Sequence, residues 1–239
     1  SEDLDVDDII VMDPADGAII DSIDLTPFTD DDEARTAGAC KMLLVDSLVY
    51  VLLQDLNNFV AESFGKLVIF DPSTLEVTKS ITLNCKNPQS MDYAQANQQI
   101  YISCANDYSG NSAFGGIEVV DTTNQTTLGL QITDSELDGT PGTIKVDQEN
   151  VYMLVYDPVN FGTNLVKLIQ ADLVNSIELV YQSISFNTGL AIDTDNLLWF
   201  ADQDLENSGI IIIDPSNNEV VAGPINVGAA PGDIVFINR

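Results

Sequence analysis

The chain has no histidine. Without an imidazole it cannot assemble a Ser-His-Asp or Cys-His nucleophile, the usual imidazole zinc site, or a histidine proton shuttle. Cationic side chains are nearly as scarce. Eight Lys plus Arg stand against 38 Asp plus Glu, for a net charge of −30, and the only arginines are Arg35 and Arg239. Such a field repels phosphate backbones and anionic head groups, because nothing on the surface neutralises several phosphates at once. Nucleic acid and membrane surfaces are therefore poor partners. Three cysteines, Cys40, Cys85 and Cys104, form no CxxC pair and cannot build a four-thiolate site, but their odd number allows one disulfide and one thiol. No run of about 18 apolar residues occurs, so no membrane span is expected. The sequence starts at Ser1 without an apolar leader and carries many Asn, Asp, Thr and Ser residues but few lysines. It reads as a mature, soluble, exported product: secreted, periplasmic or on the cell surface.

What the chain does have is a repeated phrase. IIVMDPADGAII (9–20) returns as LVIFDPSTLEVTKSITL (67–83), IEVVDTTNQTTLGLQI (117–132), VKLIQADLVNSIELVYQSI (166–184) and IIIIDPSNNEVVAGPINV (210–227). Anchored on Asp13, Asp71, Asp121, Asp172 and Asp214, the steps are 58, 50, 51 and 42 residues. That period belongs to propeller blades and is too long for leucine-rich or ankyrin repeats. Another pair of strands precedes each later copy: 40–55, 90–107, 143–157 and 189–203, each joined by a tight polar turn. Near-continuous apolar stretches such as LVYVLL and IIII mark strands buried on both faces, as in a blade between two neighbours. The expectation is a single all-β domain over 1–239: a β-propeller of five blades, each of four antiparallel strands a to d. GDIVFI (232–237) reads as the a strand of a closing blade whose c and d strands are the N-terminal copy. Its b strand is missing from the pattern. SEDLDV (1–6) is a poor substitute, which leaves a three-stranded blade, a strand donated by another chain, or homo-oligomerisation through the gap.

In a propeller the b–c and d–a connections share one face around the channel. The b–c connections are the long ones, and three carry Phe-Gly: Phe64-Gly65, Phe114-Gly115 and Phe161-Gly162. With Tyr108 these rings are candidates for a ligand face that takes a sugar, a peptide of a protein partner or an aromatic small molecule. The alternative is that each Phe plugs the gap between blades. Carboxylates crowd the same connections. Asp202, Asp204 and Glu206 alternate in one, Asp30 and Asp32 lie in an acidic run in another, and Asp3, Asp5, Asp7 and Asp8 gather at the N-terminus. Loop oxygens of this kind hold Ca²⁺, although none of these stretches fits the EF-hand spacing, and a solvating coat is the competing explanation. Cys85 precedes strand a and Cys104 ends strand b of the same blade, so the two approach one face and are the preferred disulfide pair, with buried free thiols as the alternative.

The b strands VYVLLQD, IYISCAND and LLWFADQ, followed by c strands ending VIFDP, EVVDT and IIIDP, resemble those of the YVTN or YncE-like propellers of bacterial and archaeal surface proteins. That resemblance implies a packing scaffold and carries over no catalytic residue. A shorter stretch, FNTGLAIDTDNLLWFAD (186–202), resembles a blade of the NHL or SMP30/gluconolactonase-like propellers, whose enzymes hold a divalent cation over the channel. The functional expectation is a non-enzymatic binding or assembly module, Ca²⁺-stabilised or without cofactor. A metal-dependent hydrolase of the SMP30 type and a carbohydrate-binding or glycosidase propeller are the alternatives.

Overall fold

Residues 7–30, 36–56 and 60–236 are described by the computed structural model. Each later copy of the repeat, with the strand pair ahead of it, folds into one four-stranded sheet in which sequence neighbours pair antiparallel. Blade I holds β3 (Ala39–Val45), β4 (Leu48–Leu53), β5 (Lys66–Phe70) and β6 (Val77–Thr82). Blade II holds β7 (Pro88–Ala94), β8 (Gln99–Cys104), β9 (Gly116–Asp121) and β10 (Thr126–Thr133). Blade III holds β11 (Thr140–Val146), β12 (Asn150–Asp157), β13 (Gly162–Ile169) and β14 (Glu178–Ser183). Blade IV holds β15 (Leu190–Ile192), β16 (Leu198–Asp202), β17 (Gly209–Asp214) and β18 (Glu219–Ile225). The first copy supplies only a hairpin, β1 (Ile9–Met12) with β2 (Ile19–Ile23). The chain is an all-β propeller whose fifth sheet has two strands among the described residues.

Successive side chains on a strand point to opposite faces, so each b and c strand must be apolar at every position when a blade lies on either side. Tyr50, Leu52, Leu67 and Ile69 enter the layer shared with Ile100 and Ile102 of blade II. The intervening Val51, Leu53, Val68 and Phe70 pack against Ile9 and Ile23 of the hairpin. Blade III divides in the same way, Val151 and Met153 meeting Ile117 and Val119, while Tyr152 and Leu154 meet Leu198 and Phe200. Each fully buried aliphatic residue in these layers contributes about 1.5–3 kcal/mol.

The Asp of the phrase has a local job. Asp13, Asp71, Asp121 and Asp214 close their c strands, and each carboxylate accepts from a backbone N–H two or three residues on: Ala15 at 2.8 Å, Ser73 at 2.8 Å, Asn124 at 3.0 Å and Ser216 at 2.9 Å. These are Asx turns, which turn the chain into strand d without a backbone partner for that N–H. Asp172 lies three residues beyond the end of β13 and bridges to Ile169, which is why the fourth copy matches the phrase loosely.

Three features differ from the expectation. The 157–164 connection is a tight turn between β12 and β13 rather than a long loop, with Asp157 accepting from Val159 and Asn160. A short helix, α1 (Asp134–Leu137), fills the passage from blade II to blade III and opens on a capping box between Thr133 and Glu136. Residues 232–236 do not form a strand. They follow blade IV instead: Gly232 accepts from the Thr188 hydroxyl at 2.9 Å, Ile234 joins Ala201, Ile210 and Ile212, and Phe236 meets Trp199 edge-on at 5.4 Å. A strand needs a neighbouring backbone on at least one edge, and none of the described residues supplies one there. SEDLDV (1–6) lies outside the described residues.

Candidate functional site

Strands b and d end, and strands a and c begin, on one face of the propeller, so the b–c and d–a connections of every blade converge there. Between blades II, III and IV that face carries a cleft of about 240 Å³. Its floor is the start of β11, Thr140 to Thr143, and one side is Gln89 at the start of β7. Those a-strand beginnings are built from small and polar residues where the rest of each blade is apolar, so they leave space instead of filling it.

Three aromatic rings form the walls. Tyr156, near the end of β12, and Phe186, in the passage from blade III to blade IV, meet edge-on with centroids 5.3 Å apart. Across the cleft stands Tyr108, half exposed at 50%. Its backbone is left-handed (φ 62°), an unusual state for a bulky residue, and its N–H is bonded to Ala105 at 2.9 Å. Backbone strain of this kind concentrates at functional sites.

Beneath the rings lies a group with no partner. The Thr140 hydroxyl is buried, the residue being 2% exposed, and no hydrogen bond reaches it among the described residues. Such a group costs roughly 1–3 kcal/mol unless something outside the chain bonds it. Neighbouring polar groups are already engaged. Thr163 donates to Ser185 at 2.8 Å and accepts from the Asn187 N–H at 3.0 Å, while Asn187 accepts from the Gln203 N–H at 2.7 Å. Among the described residues no charged side chain lines the cleft.

Of the residues singled out by sequence, Tyr108 alone lines this cleft. Phe64 and Phe114 pack edge-on against each other at 5.7 Å, and the Lys86 ammonium lies 5.6 and 5.3 Å from their centroids. Their contact joins the b–c connections of blades I and II. Phe161 is 68% exposed at the tip of the β12–β13 turn, outside the cleft lining.

The acidic candidates that are described have partners within the chain. Asp202 is buried and accepts from the Ser183 hydroxyl at 2.8 Å and the Asp204 N–H at 3.1 Å; Asp204 in turn accepts from the Glu206 N–H at 2.8 Å. Asp30 pairs with the buried Lys66 ammonium at 2.5 Å. Asp3, Asp5 and Asp32 lie outside the described residues. Among the described residues no three carboxylates or thiolates gather in a way that could hold a metal ion. Cys85 and Cys104 are joined by a disulfide, and Cys40 is free.

Thr140, Tyr156 and Phe186 escaped the sequence reading. The available signal was Thr140-Pro141-Gly142-Thr143, a run of small and polar residues opening a strand.

No protein-family model and no curated protein sequence matches the chain. Solved structures do. Hydrazine synthase from Kuenenia stuttgartiensis is similar with a TM-score of 0.56 at 15% identity, over 78% of this chain and 48% of that one. The chain thus spans about half the length of that protein. A functionally unknown protein from Desulfotomaculum acetoxidans DSM 771 is similar with a TM-score of 0.53 at 14% identity, over 94% of this chain and 66% of that one. At such identities the likeness concerns the propeller fold alone.

Proposed function

We propose that the protein is a non-enzymatic, exported binding module that holds a small ligand in the cleft between blades II, III and IV. The observation that carries this reading is a cleft walled by two exposed rings, Tyr108 and Phe186, and the half-buried Tyr156, beside a buried Thr140 hydroxyl with no partner among the described residues. A concave site with aromatic walls and a few unengaged polar groups is the usual form of a ligand pocket, and at about 240 Å³ this one suits a small molecule or one end of a larger one. Binding without turnover is favoured by the lining. General acid–base chemistry needs a group that titrates near the working pH, and the cleft offers amides, hydroxyls and phenols. The Cys85–Cys104 disulfide favours an oxidising compartment outside the cytosol. The reading is tested by NMR of isotope-labelled protein against a library of small fragments. Binders are expected to perturb Thr140, Tyr156 and Phe186 together; perturbations scattered elsewhere, or none, reject it.

A second reading, self-association, is favoured by one observation. Met42 and Leu44 on β3 are 55% and 64% exposed, and with Ile10 and Met12 of β1 they line an apolar groove where the closing blade lacks its inner strands. A second copy laying its own groove, or a strand, along the edge of β1 that no described strand pairs would cover this surface.

A further inference from the structure

We infer that the ligand of the cleft is a neutral saccharide unit, bound with one face on the Tyr156–Phe186 corner and one hydroxyl on Thr140. This rests on the reading of the cleft as a binding site and adds the chemistry of what fills it. The chain carries −30, yet among the described residues no Asp, Glu, Lys or Arg lines the cleft. A charged ligand would find nothing there to offset its desolvation, and an anion would also be repelled by the field around the protein.

The unengaged polar atoms narrow the choice. Beside the Thr140 hydroxyl, the phenol groups of Tyr108 and Tyr156 make no hydrogen bond among the described residues. Gln89 uses its amide N–H on Asn87 at 2.7 Å and leaves its carbonyl oxygen free. Three hydroxyls that donate or accept and one pure acceptor suit a ligand whose own groups do both. Ligand hydroxyls do; an aromatic hydrocarbon would leave Thr140 and Gln89 unpaired at the cost of two lost hydrogen bonds. The rings answer the remaining feature of a sugar, its C–H face, which packs on an aromatic surface that is large and rigid. Tyr156 and Phe186 are set nearly at right angles, 76° between planes, so they make a corner rather than a slot for a flat molecule.

The test is a titration of labelled protein with neutral monosaccharides (glucose, galactose, mannose, N-acetylglucosamine), with glucuronate and indole as controls, followed by NMR. Neutral sugars are expected to perturb Thr140 and Tyr156, with little response to glucuronate. Thr140→Val, which removes the hydroxyl at constant shape, is expected to weaken binding roughly tenfold. Tyr108→Gly removes a wall while relieving the left-handed backbone, so its loss of binding cannot be assigned to misfolding. Perturbation of the cleft by indole but by no sugar overturns the saccharide assignment and leaves the binding site standing. No perturbation of the cleft by any probe or by the wider fragment library overturns both. Unchanged sugar affinity in Thr140→Val and Tyr108→Gly also overturns the assignment.

Discussion

The fully buried Glu118 side chain of β9 takes the backbone N–H of Asn84 at 2.7 Å and the Asn84 side-chain amide at 3.1 Å, tying the passage out of blade I to the third strand of blade II. The Thr127 hydroxyl completes the set at 2.5 Å. Three donors converge on a carboxylate in an otherwise apolar layer, which is how a buried charge is tolerated without a cation.

Glu118→Ala leaves those donors unpaired and opens a void. The expected loss is about 3 kcal/mol, a fall in melting temperature of roughly 6–12 °C for a chain of this size. Glu118→Gln keeps the shape and one acceptor and should lose about half as much. Thermal unfolding followed by circular dichroism reads both, and a melting temperature unchanged in Glu118→Ala would refute the role.

The disulfide closes a 19-residue separation, for which chain entropy suggests about 3 kcal/mol. Reduction should lower the melting temperature accordingly. Burial pushes the Cys40 thiol up to about 12, so it is not a nucleophile at neutral pH. Alkylation at pH 8 read by mass spectrometry should label no cysteine in the native protein, one after unfolding, and three after unfolding with reductant. Three labels after unfolding without reductant would mean that Cys85 and Cys104 are thiols.

Acid should weaken the fold through its turns. The Ser73 hydroxyl and N–H hold Asp71 below the ordinary carboxylate value of 3.8. The Asn124 N–H and amide do so for Asp121, those of Asn160 for Asp157, and the Ser216 hydroxyl and N–H for Asp214. A depressed native pKa gives stability that is present above the unfolded value and disappears as pH falls through the native one. Burial raises Asp92 and Asp134, whose contribution has the opposite sign and improves on acidification toward 3.8. Urea unfolding between about pH 5 and 2 should show a falling acid limb below 3.8 that is shallower when Asp121, Asp157 and Asp214 are replaced by Asn. An identical slope in that variant contradicts the assignment.

Self-association through the open seam should grow with protein concentration and with salt, because screening weakens repulsion between chains of −30. Leu44→Lys, at an exposed position, should restore monomers without loss of stability. Light scattering showing only monomers at high salt and high concentration sinks the idea.

The sequence by itself determined the blade. Period-2 side-chain geometry forces LVYVLL and GIIIID to be buried on both faces, and Asx chemistry makes Asp the residue that ends each c strand, so both signals are local and repeat. The pairing of Cys85 with Cys104 could be preferred from their places in one blade. The capping box at Thr133 and Glu136 was equally local and was missed. Tertiary structure alone decided where the rings go. Phe64 and Phe114 occupy equivalent places in successive blades and pack on each other, whereas Tyr156 of β12 and Phe186 of the passage after β14, unremarkable in the chain, meet only in the fold. It also decided that 232–236 follow blade IV without becoming a strand, since a ladder needs a partner backbone that no pattern of side chains can supply.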